Sequence, residues 1–236
     1  MENENSTEVK GGSSNKVIIT IVVLIVLAVL GYFAFVRSGT AVPSVATVNG
    51  VVISKTTFDA QLASTIASYT TQGLDATSTA ALAQIKTQVL NNLVATELLN
   101  QGAKAAGITA SSTEVDAQYQ ALLTQAGGAD QLKTQLTQNK MTDAQLRANI
   151  AQQLTIQAYL LQNIDVNSIT ASDAEVSAFY AQYSAAQKAA GQTVPTLASL
   201  SAQIKQQIIS NKEQTLIANF IAGLQAKATI ATSTAL

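Results

Sequence analysis

The chain contains a run of 20 residues, from Val17 to Val36, that carries no charged side chain. Fifteen of these residues are Val, Ile, Leu or Phe. A helix of this length is about 30 Å long, which matches the hydrocarbon core of a bilayer. No other feature of the sequence limits the possible folds so strongly. The run predicts a transmembrane helix over residues 17–36, through which the chain would contact a lipid bilayer.

Two other interpretations of this run are a buried core helix and a cleaved signal peptide. A core helix of a soluble domain usually has a polar face, and this run has none. A signal peptide has an apolar region of about 7 to 15 residues followed by a cleavage site of small residues. The residues after Arg37 match such a site poorly. We therefore expect an uncleaved anchor, with cleavage as the alternative.

Basic residues lie on both sides of the run, with Lys10 and Lys16 before it and one arginine after it. Two cations against one favour a cytoplasmic N-terminus, because cytoplasmic flanks carry an excess of Lys and Arg. Residues 1–16 are polar and predict a disordered cytoplasmic tail, and residues 37–44 predict a linker. The folded domain, residues 45–232, would then be extracytoplasmic, and the protein would be a single-pass protein of the cell membrane.

The residue types that are absent exclude several kinds of site. The sequence has no Cys, no His and no Trp, so it has no thiolate or imidazole to bind zinc or act in nucleophilic catalysis. Its formal net charge of -1 does not suit nucleic acid, which needs a clustered basic surface. Gly127 and Gly128 are not part of a phosphate-binding loop. The sequence therefore predicts no catalytic residue, no metal, no cofactor and no nucleic-acid partner.

The rest of the chain predicts a small hairpin followed by helices. Asn49 and Gly50 suit a two-residue type I′ turn, and β-branched residues flank them. Apolar residues then recur at spacings of three and four, and the chain is rich in Ala and Gln, which favour helices. Residues 228–231 predict a last short strand. Because two short strands are not stable alone, we expect this strand to pair with the hairpin.

Short polar motifs predict where the helices begin. Ser54 is a predicted N-cap, the next helix is predicted to run from about Ser78 to Ala106, and three pairs three residues apart predict capping boxes. These pairs are Ser111 with Glu114, Thr142 with Gln145, and Ser172 with Glu175. In the first helix the apolar stripe runs through Phe58, Leu62, Ile66 and Tyr69. In the helix that begins near Thr142 it runs through Leu146, Ile150, Leu154, Gln157 and Leu161.

Several segments, taken in order, carry a resemblance to a known family. Residues 45–55, Val-Ala-Thr-Val-Asn-Gly-Val-Val-Ile-Ser-Lys, are followed by Phe58 and resemble the opening hairpin of the SurA/PrsA-type extracytoplasmic foldases. Residues 88–99 and 103–115 resemble the second long helix of that family and its continuation. Residues 195–230 resemble its returning helix and closing strand. The resemblance covers residues 45–232.

The resemblance implies a fold and a function. The implied fold is mainly α: the transmembrane helix is followed by a SurA N-terminal-like helical domain with a small N-terminal β-hairpin and a returning C-terminal helix. The implied function is that of a helical cradle that binds unfolded or newly translocated secreted polypeptides. The family usually inserts a parvulin domain of roughly 90 residues before the returning helix, but here only about residues 181–194 are available. Parvulin sites also use histidines, so we do not expect prolyl isomerase activity.

Aromatic and methionine side chains are candidates for contacts with a bound polypeptide, because they suit weak and adaptable binding. The candidates are Tyr69, Tyr119, Met141, Tyr159, Phe179, Tyr180 and Tyr183. For each of them the alternative is packing in the core. Tyr180 and Tyr183 are favoured, because they lie near the join at which the family inserts its parvulin domain.

These observations predict a membrane-anchored holdase that works without ATP, since the sequence has no nucleotide-binding motif. The alternative is a membrane-tethered scaffold whose helical domain docks one specific partner. A broad exposed apolar patch would favour the chaperone, whereas a small complementary patch would favour the scaffold. A third interpretation is an isomerase that acts without histidine. The sequence does not predict the oligomeric state.

Overall fold

A computed structural model describes residues 43–139 and 141–233. The predicted tail, the predicted transmembrane segment at residues 17–36 and most of the predicted linker lie outside the described residues. Among the helices that are described, none combines the length and the apolar character needed to cross a membrane. The transmembrane part of the predicted fold therefore stays a prediction.

The described chain is mainly helical with one small sheet, which confirms this part of the predicted fold class. Its strands are β1 (Ser44–Val48), β2 (Val51–Ser54) and β3 (Ile230–Thr232). Its α-helices are α1 (Lys55–Thr71), α2 (Thr79–Ala105), α3 (Ser112–Ala126), α4 (Ala129–Gln138), α5 (Asp143–Asn163), α6 (Asp173–Ala189) and α7 (Leu197–Gln225). A short 3₁₀ helix, Val166–Ser168, follows α5.

The described chain divides into two compact units. The sheet unit comprises the described residues of Val22–Asn163 and Ala218–Leu236. The helical unit is Ile164–Ile217 and contains the 3₁₀ helix, α6 and most of α7.

The three strands form an antiparallel sheet in the order β2-β1-β3. Val48 is opposite Val51 in the hairpin and opposite Ile230 in the closing strand. Asn49 and Gly50 have φ values of 51° and 82°, as a type I′ turn requires. The predicted hairpin and its pairing with the last strand are both confirmed. β3 begins at Ile230, two residues later than the predicted start at residue 228.

The sheet unit packs its sheet against α1 and α2. Val45, Val48 and Ile53 are at most 4% exposed and lie in one core with Phe58 and with the buried face of α2. The rest of the predicted stripe of α1, which is Leu62, Ile66 and Tyr69, packs on the same core. Three residues near the C-terminus also pack on this core, namely Leu224, Ala228 and Ile230. Burial of such side chains contributes about 1.5–3 kcal/mol each to stability.

The predicted helix starts are confirmed by their hydrogen bonds. Ser54 and Ser78 accept a backbone N–H three residues later. Both sides of the capping box form at Ser111 with Glu114 and at Ser172 with Glu175. The predicted Thr142–Gln145 box also forms, since the Gln145 N–H donates to Thr142 Oγ1 and the Thr142 N–H donates to Gln145 Oε1.

The predicted apolar stripe of α5 is wrong in its second half. Leu161 is 41% exposed, whereas Ile156 and Tyr159 are buried. Apolar residues at spacings of three and four occur both on the face of α5 with Leu161 and on the face with Ile156 and Tyr159. The pattern alone therefore does not show which of these two faces is buried. The choice follows from Gly102 on α2, because a Cβ atom at this position would overlap the phenol ring of Tyr159.

Candidate functional site

The helical unit is held together by a small apolar core between α6 and α7. Val176, Ile204 and Ile208 are buried. Phe179 and Tyr180 pack on them and are half-buried. The buried core of this unit therefore consists of a few side chains from α6 and α7.

Two ion pairs at the surface also link α6 and α7. Lys205 Nζ lies 3.1 Å from Asp173 Oδ1, and Lys212 Nζ lies 2.6 Å from Glu175 Oε1. Lys212 Nζ also donates to the Thr170 carbonyl at 2.8 Å. The Lys212 ammonium and the hydrogen bonds from Ser172 hold the pKa of the Glu175 carboxyl at about 2. Both carboxylates lie in the first turn of α6, where they also interact favourably with the helix dipole.

A shallow groove with a volume of about 530 Å³ runs along the same unit, beside these ion pairs. The segment before α6 and the second half of α7 line it. Its lining residues are Ser168, Ile169, Thr170, Ile208, Asn211, Lys212, Thr215 and Leu216. Leu216 is 40% exposed, which is unusual for a large apolar side chain in this chain. We call this feature the α7 groove.

The chemistry of the α7 groove suits an uncharged peptide segment. Lys212 is its one charged lining residue, and that ammonium is already bound by Glu175 and by a backbone carbonyl. Leu216 and Ile169 offer apolar surface, and the hydroxyl and amide groups of the lining can pair with peptide N–H and C=O groups. The groove therefore offers apolar contact and neutral hydrogen bonds without a free charge.

Three of the predicted contact residues belong to the helical unit. Phe179 and Tyr180 share its core, and Tyr183 is half-buried one turn further along α6. The Tyr180 hydroxyl donates to the Pro195 carbonyl at 2.9 Å and so holds the connection between α6 and α7. This connection spans only residues 190–196, so no domain is inserted at this point.

Three others lie in the sheet unit. Tyr69 packs on the main core and donates from its hydroxyl to Gln88 Oε1 at 3.1 Å. Tyr159 is 8% exposed, and its ring lies 5.6 Å from that of Phe220. Met141 is half-buried at the start of α5.

Tyr119 is half-buried and has several side-chain partners in the sheet unit. The Arg147 guanidinium stacks over its ring, 4.0 Å from the ring centre. Its hydroxyl donates to Asp143 at 2.5 Å, and this bond raises the pKa of the phenol. Arg147 also pairs with Asp116 and Asp143. The four side chains clamp α3 against α5.

The α7 groove does not include any of the seven predicted contact residues. The structure instead places Leu216 and Ile169 in the groove, and neither residue was predicted from the sequence. The one local signal was that Leu216 lies out of step with the stripe of α7, which continues through Ile208 and Ile217. An apolar residue outside the stripe is a weak signal, because isolated exposed apolar residues are common.

The described residues contain no group of three or more His, Cys, Asp or Glu side chains that could hold a metal ion. Glu213 on α7 is fully buried, and none of the described residues donates a hydrogen bond to either of its carboxylate oxygens. Desolvation raises the pKa of this carboxyl above its ordinary value.

Comparison with known proteins agrees with the fold. Residues 8–160 match the family model of the SurA-like N-terminal domain, and this range is more than half of the chain. No curated protein gives a significant match. The domain is the chaperone part of this chaperone-like family and not its catalytic parvulin domain. The chain belongs to the family defined by the SurA-like N-terminal domain.

Proposed function

We propose that this protein is a membrane-anchored, ATP-independent holdase that binds unfolded or newly translocated polypeptides outside the cytoplasm. The family supports a chaperone-like role. The observation that carries the proposal is the α7 groove, which has an exposed leucine at residue 216 and whose one charged lining residue, Lys212, is paired with Glu175. The predicted anchor at residues 17–36 would hold this groove close to the membrane through which secreted chains emerge.

The size and chemistry of the α7 groove favour weak and exchangeable binding. Complete burial of one leucine side chain contributes only about 1.5–3 kcal/mol, and part of this is offset when the client loses conformational freedom. The hydroxyl and amide groups of the lining can pair with any peptide backbone, since they do not depend on the client's side chains. Such a groove would bind many extended segments briefly, as a holdase must.

Aggregation suppression by the full-length chain in lipid nanodiscs tests this proposal. A chemically denatured test protein would be diluted into buffer without ATP at a stoichiometric ratio, and light scattering would be followed. We expect suppression that grows with the concentration of the chain and is absent with empty nanodiscs. Leu216→Gln should weaken suppression several-fold.

Leu74→Gln is the matched control for this experiment. Leu74 is 52% exposed and lies in the sheet unit, so the same chemical change is made outside the α7 groove. It should leave suppression unchanged. If the unsubstituted chain does not suppress the aggregation of several clients, the scaffold alternative is favoured. If both variants lose suppression equally, the α7 groove is not the surface that binds the client.

The predicted topology has its own test, which uses the natural absence of cysteine. Ser14→Cys lies before the predicted anchor, and Gln131→Cys lies on the exposed face of α4. In intact cells a membrane-impermeant maleimide should label the cysteine at 131 and not the cysteine at 14. The reverse pattern would contradict the proposed orientation. If residue 14 is still present in the mature chain, the apolar segment has not been removed as a signal peptide.

A further inference from the structure

The hairpin turn contains a dipeptide that is chemically reactive by itself. Asn49 is the one asparagine of the sequence that is followed by glycine. The amide nitrogen of the following residue can attack an asparagine side chain, and glycine hinders this attack least because it has no side chain of its own. Both residues are exposed, and a Cβ atom at Gly50 would meet none of the described residues within 4 Å. The proposed holdase function does not use this turn.

The reaction is deamidation, and it needs only water from the solvent. The Gly50 backbone nitrogen forms a bond to Asn49 Cγ, and the bond from Cγ to Nδ2 breaks. Nδ2 leaves as ammonia together with the proton that the Gly50 nitrogen loses. Water then hydrolyses the cyclic imide at one of its carbonyl carbons, which gives either aspartate or isoaspartate. In isoaspartate the backbone runs through the former side chain and is one carbon longer.

The closed sheet holds the reacting carboxamide away from this path. Asn49 Nδ2 donates to Gln101 Oε1 at 2.8 Å, and Asn49 Oδ1 accepts the Thr229 N–H at 2.8 Å. Thr229 directly precedes β3, so the second bond depends on the pairing of the closing strand. The carboxamide must leave both partners before it can turn toward the Gly50 nitrogen. Deamidation therefore requires a local opening of the turn.

The product cannot restore the bonds that the asparagine made. In aspartate a carboxylate oxygen replaces the Nδ2 donor and faces Gln101 Oε1, which is also an acceptor. Gln101 cannot reverse its amide without loss, because its Nε2 already donates to the Val48 carbonyl at 3.0 Å and to Glu97 Oε1 at 2.7 Å. Isoaspartate also lengthens a two-residue turn whose length sets the register of the hairpin.

We propose that Asn49 is a modification site of this chain, at which deamidation proceeds through the opened turn and then weakens the attachment of β3. The closed sheet protects the asparagine, and each opening gives the reaction a chance to occur. Because the product pairs less well with Gln101, the modified chain opens more often than the original one. The modification is therefore a one-way change from a closed to a loosened sheet unit.

Mass spectrometry of the full-length chain in nanodiscs at neutral pH tests the protection. The reference is a synthetic peptide of residues 46–53, in which the asparagine has no distant partners. The chain should deamidate at Asn49 about 5- to 100-fold more slowly than the peptide, because two hydrogen bonds must open first. Gln101→Met removes one partner and should raise the rate in the chain by about 2- to 10-fold. Gln84→Met, the same change at an exposed position of α2, should leave the rate unchanged.

Three results would overturn the protected site. They are equal rates in the chain and the peptide, no effect of Gln101→Met in a folded chain, and no modified Asn49 in the chain after prolonged incubation. If Gln101→Met does not fold, the ratio between the rates of the chain and the peptide decides the question.

Hydrogen exchange of the β3 amides tests the effect of the modification. Asn49→Asp reproduces one product and should exchange these amides several-fold faster than the unsubstituted chain. Asn91→Asp makes the same change of charge on the exposed side of α2 and should leave the exchange of β3 unchanged. If Asn49→Asp does not fold, chain that has aged in its native form and has been separated by charge replaces it. Equal exchange in the modified and unmodified chains would overturn the loosening of the sheet unit.

Discussion

Asn49 and Thr229, which are 180 residues apart, exchange two hydrogen bonds of 2.8 Å. The Asn49 N–H donates to the Thr229 carbonyl, and the Thr229 N–H donates back to Asn49 Oδ1. Asn49 Nδ2 also donates to Gln101 Oε1 at 2.8 Å. One residue therefore shapes the hairpin turn and joins it both to α2 and to the end of the chain.

Substitution of Asn49 by glycine separates these two roles. Glycine accepts the positive φ of the turn but has no side chain to bond Thr229 or Gln101. We expect Asn49→Gly to lower the free energy of unfolding by about 1–2 kcal/mol, because two side-chain hydrogen bonds are lost. Urea unfolding followed by circular dichroism measures this. Equal stability of Asn49→Gly and the unsubstituted chain would show that the side chain does not stabilise the closure.

The close approach of α2 and α5 depends on a glycine. A Cβ atom at Gly102 would overlap the Tyr159 ring, so Gly102→Ala should destabilise the fold by about 1–3 kcal/mol. Gly223→Ala on α7 is the matched control, since a Cβ there meets no atom within 4 Å. It should be neutral or stabilising by up to about 1 kcal/mol. Thermal unfolding of both variants checks this, and similar melting temperatures would contradict it.

The buried Glu213 carboxyl should make stability depend on pH. Its pKa is raised in the folded chain, so the fold binds a proton that the unfolded chain releases above about 4.5. The contribution of Glu213 to the free energy of unfolding is most favourable below pH 4.5. This contribution is lost as the pH rises through the pKa of the folded chain. Glu213→Met, which removes the unpaired oxygens, should therefore be more stabilising at pH 7 than at pH 4.

Urea unfolding of Glu213→Met and the unsubstituted chain at both pH values measures this difference, in which the other titrating groups cancel. A stability difference that does not change between pH 4 and pH 7 would contradict the raised pKa.

The ion pair between α6 and α7 should be visible in the titration of Glu175. The folded pKa is lowered to about 2, so the stabilising effect is complete above about 4.5 and is lost as the pH falls through 2. Side-chain carboxyl NMR of the chain should give a midpoint near 2. Lys212→Met removes the main cause and should move this midpoint toward 4.5. A midpoint that Lys212→Met leaves unchanged would show that the ammonium is not responsible.

The features that could be predicted from the sequence have local causes. The turn at Asn49 and Gly50 and the capping boxes each depend on residues within three positions of one another. The pairing of the last strand could also be expected, because a lone hairpin needs a further partner. These predictions are confirmed because local chemistry and the tertiary structure favour the same arrangement.

The features that could not be predicted depend on distant residues. The burial of Tyr159 follows from the missing side chain at Gly102, and the pattern of α5 alone fits either face. The α7 groove forms because the segment before α6 lies along the exposed side of Leu216, and no periodicity of α7 encodes that neighbour. The burial of Glu213 likewise contradicts the usual exposure of glutamate.

Site-specific photocrosslinking tests whether the α7 groove binds unfolded polypeptides. A benzophenone amino acid would replace Leu216 in one full-length chain and Leu74 in another, and each would be irradiated with an unfolded client in nanodiscs. We predict adducts with the unfolded client from position 216, few from position 74, and none from either position with the same client in its native fold. Equal adduct yields from the two positions, or none from position 216, would show that the α7 groove is not where unfolded polypeptides bind.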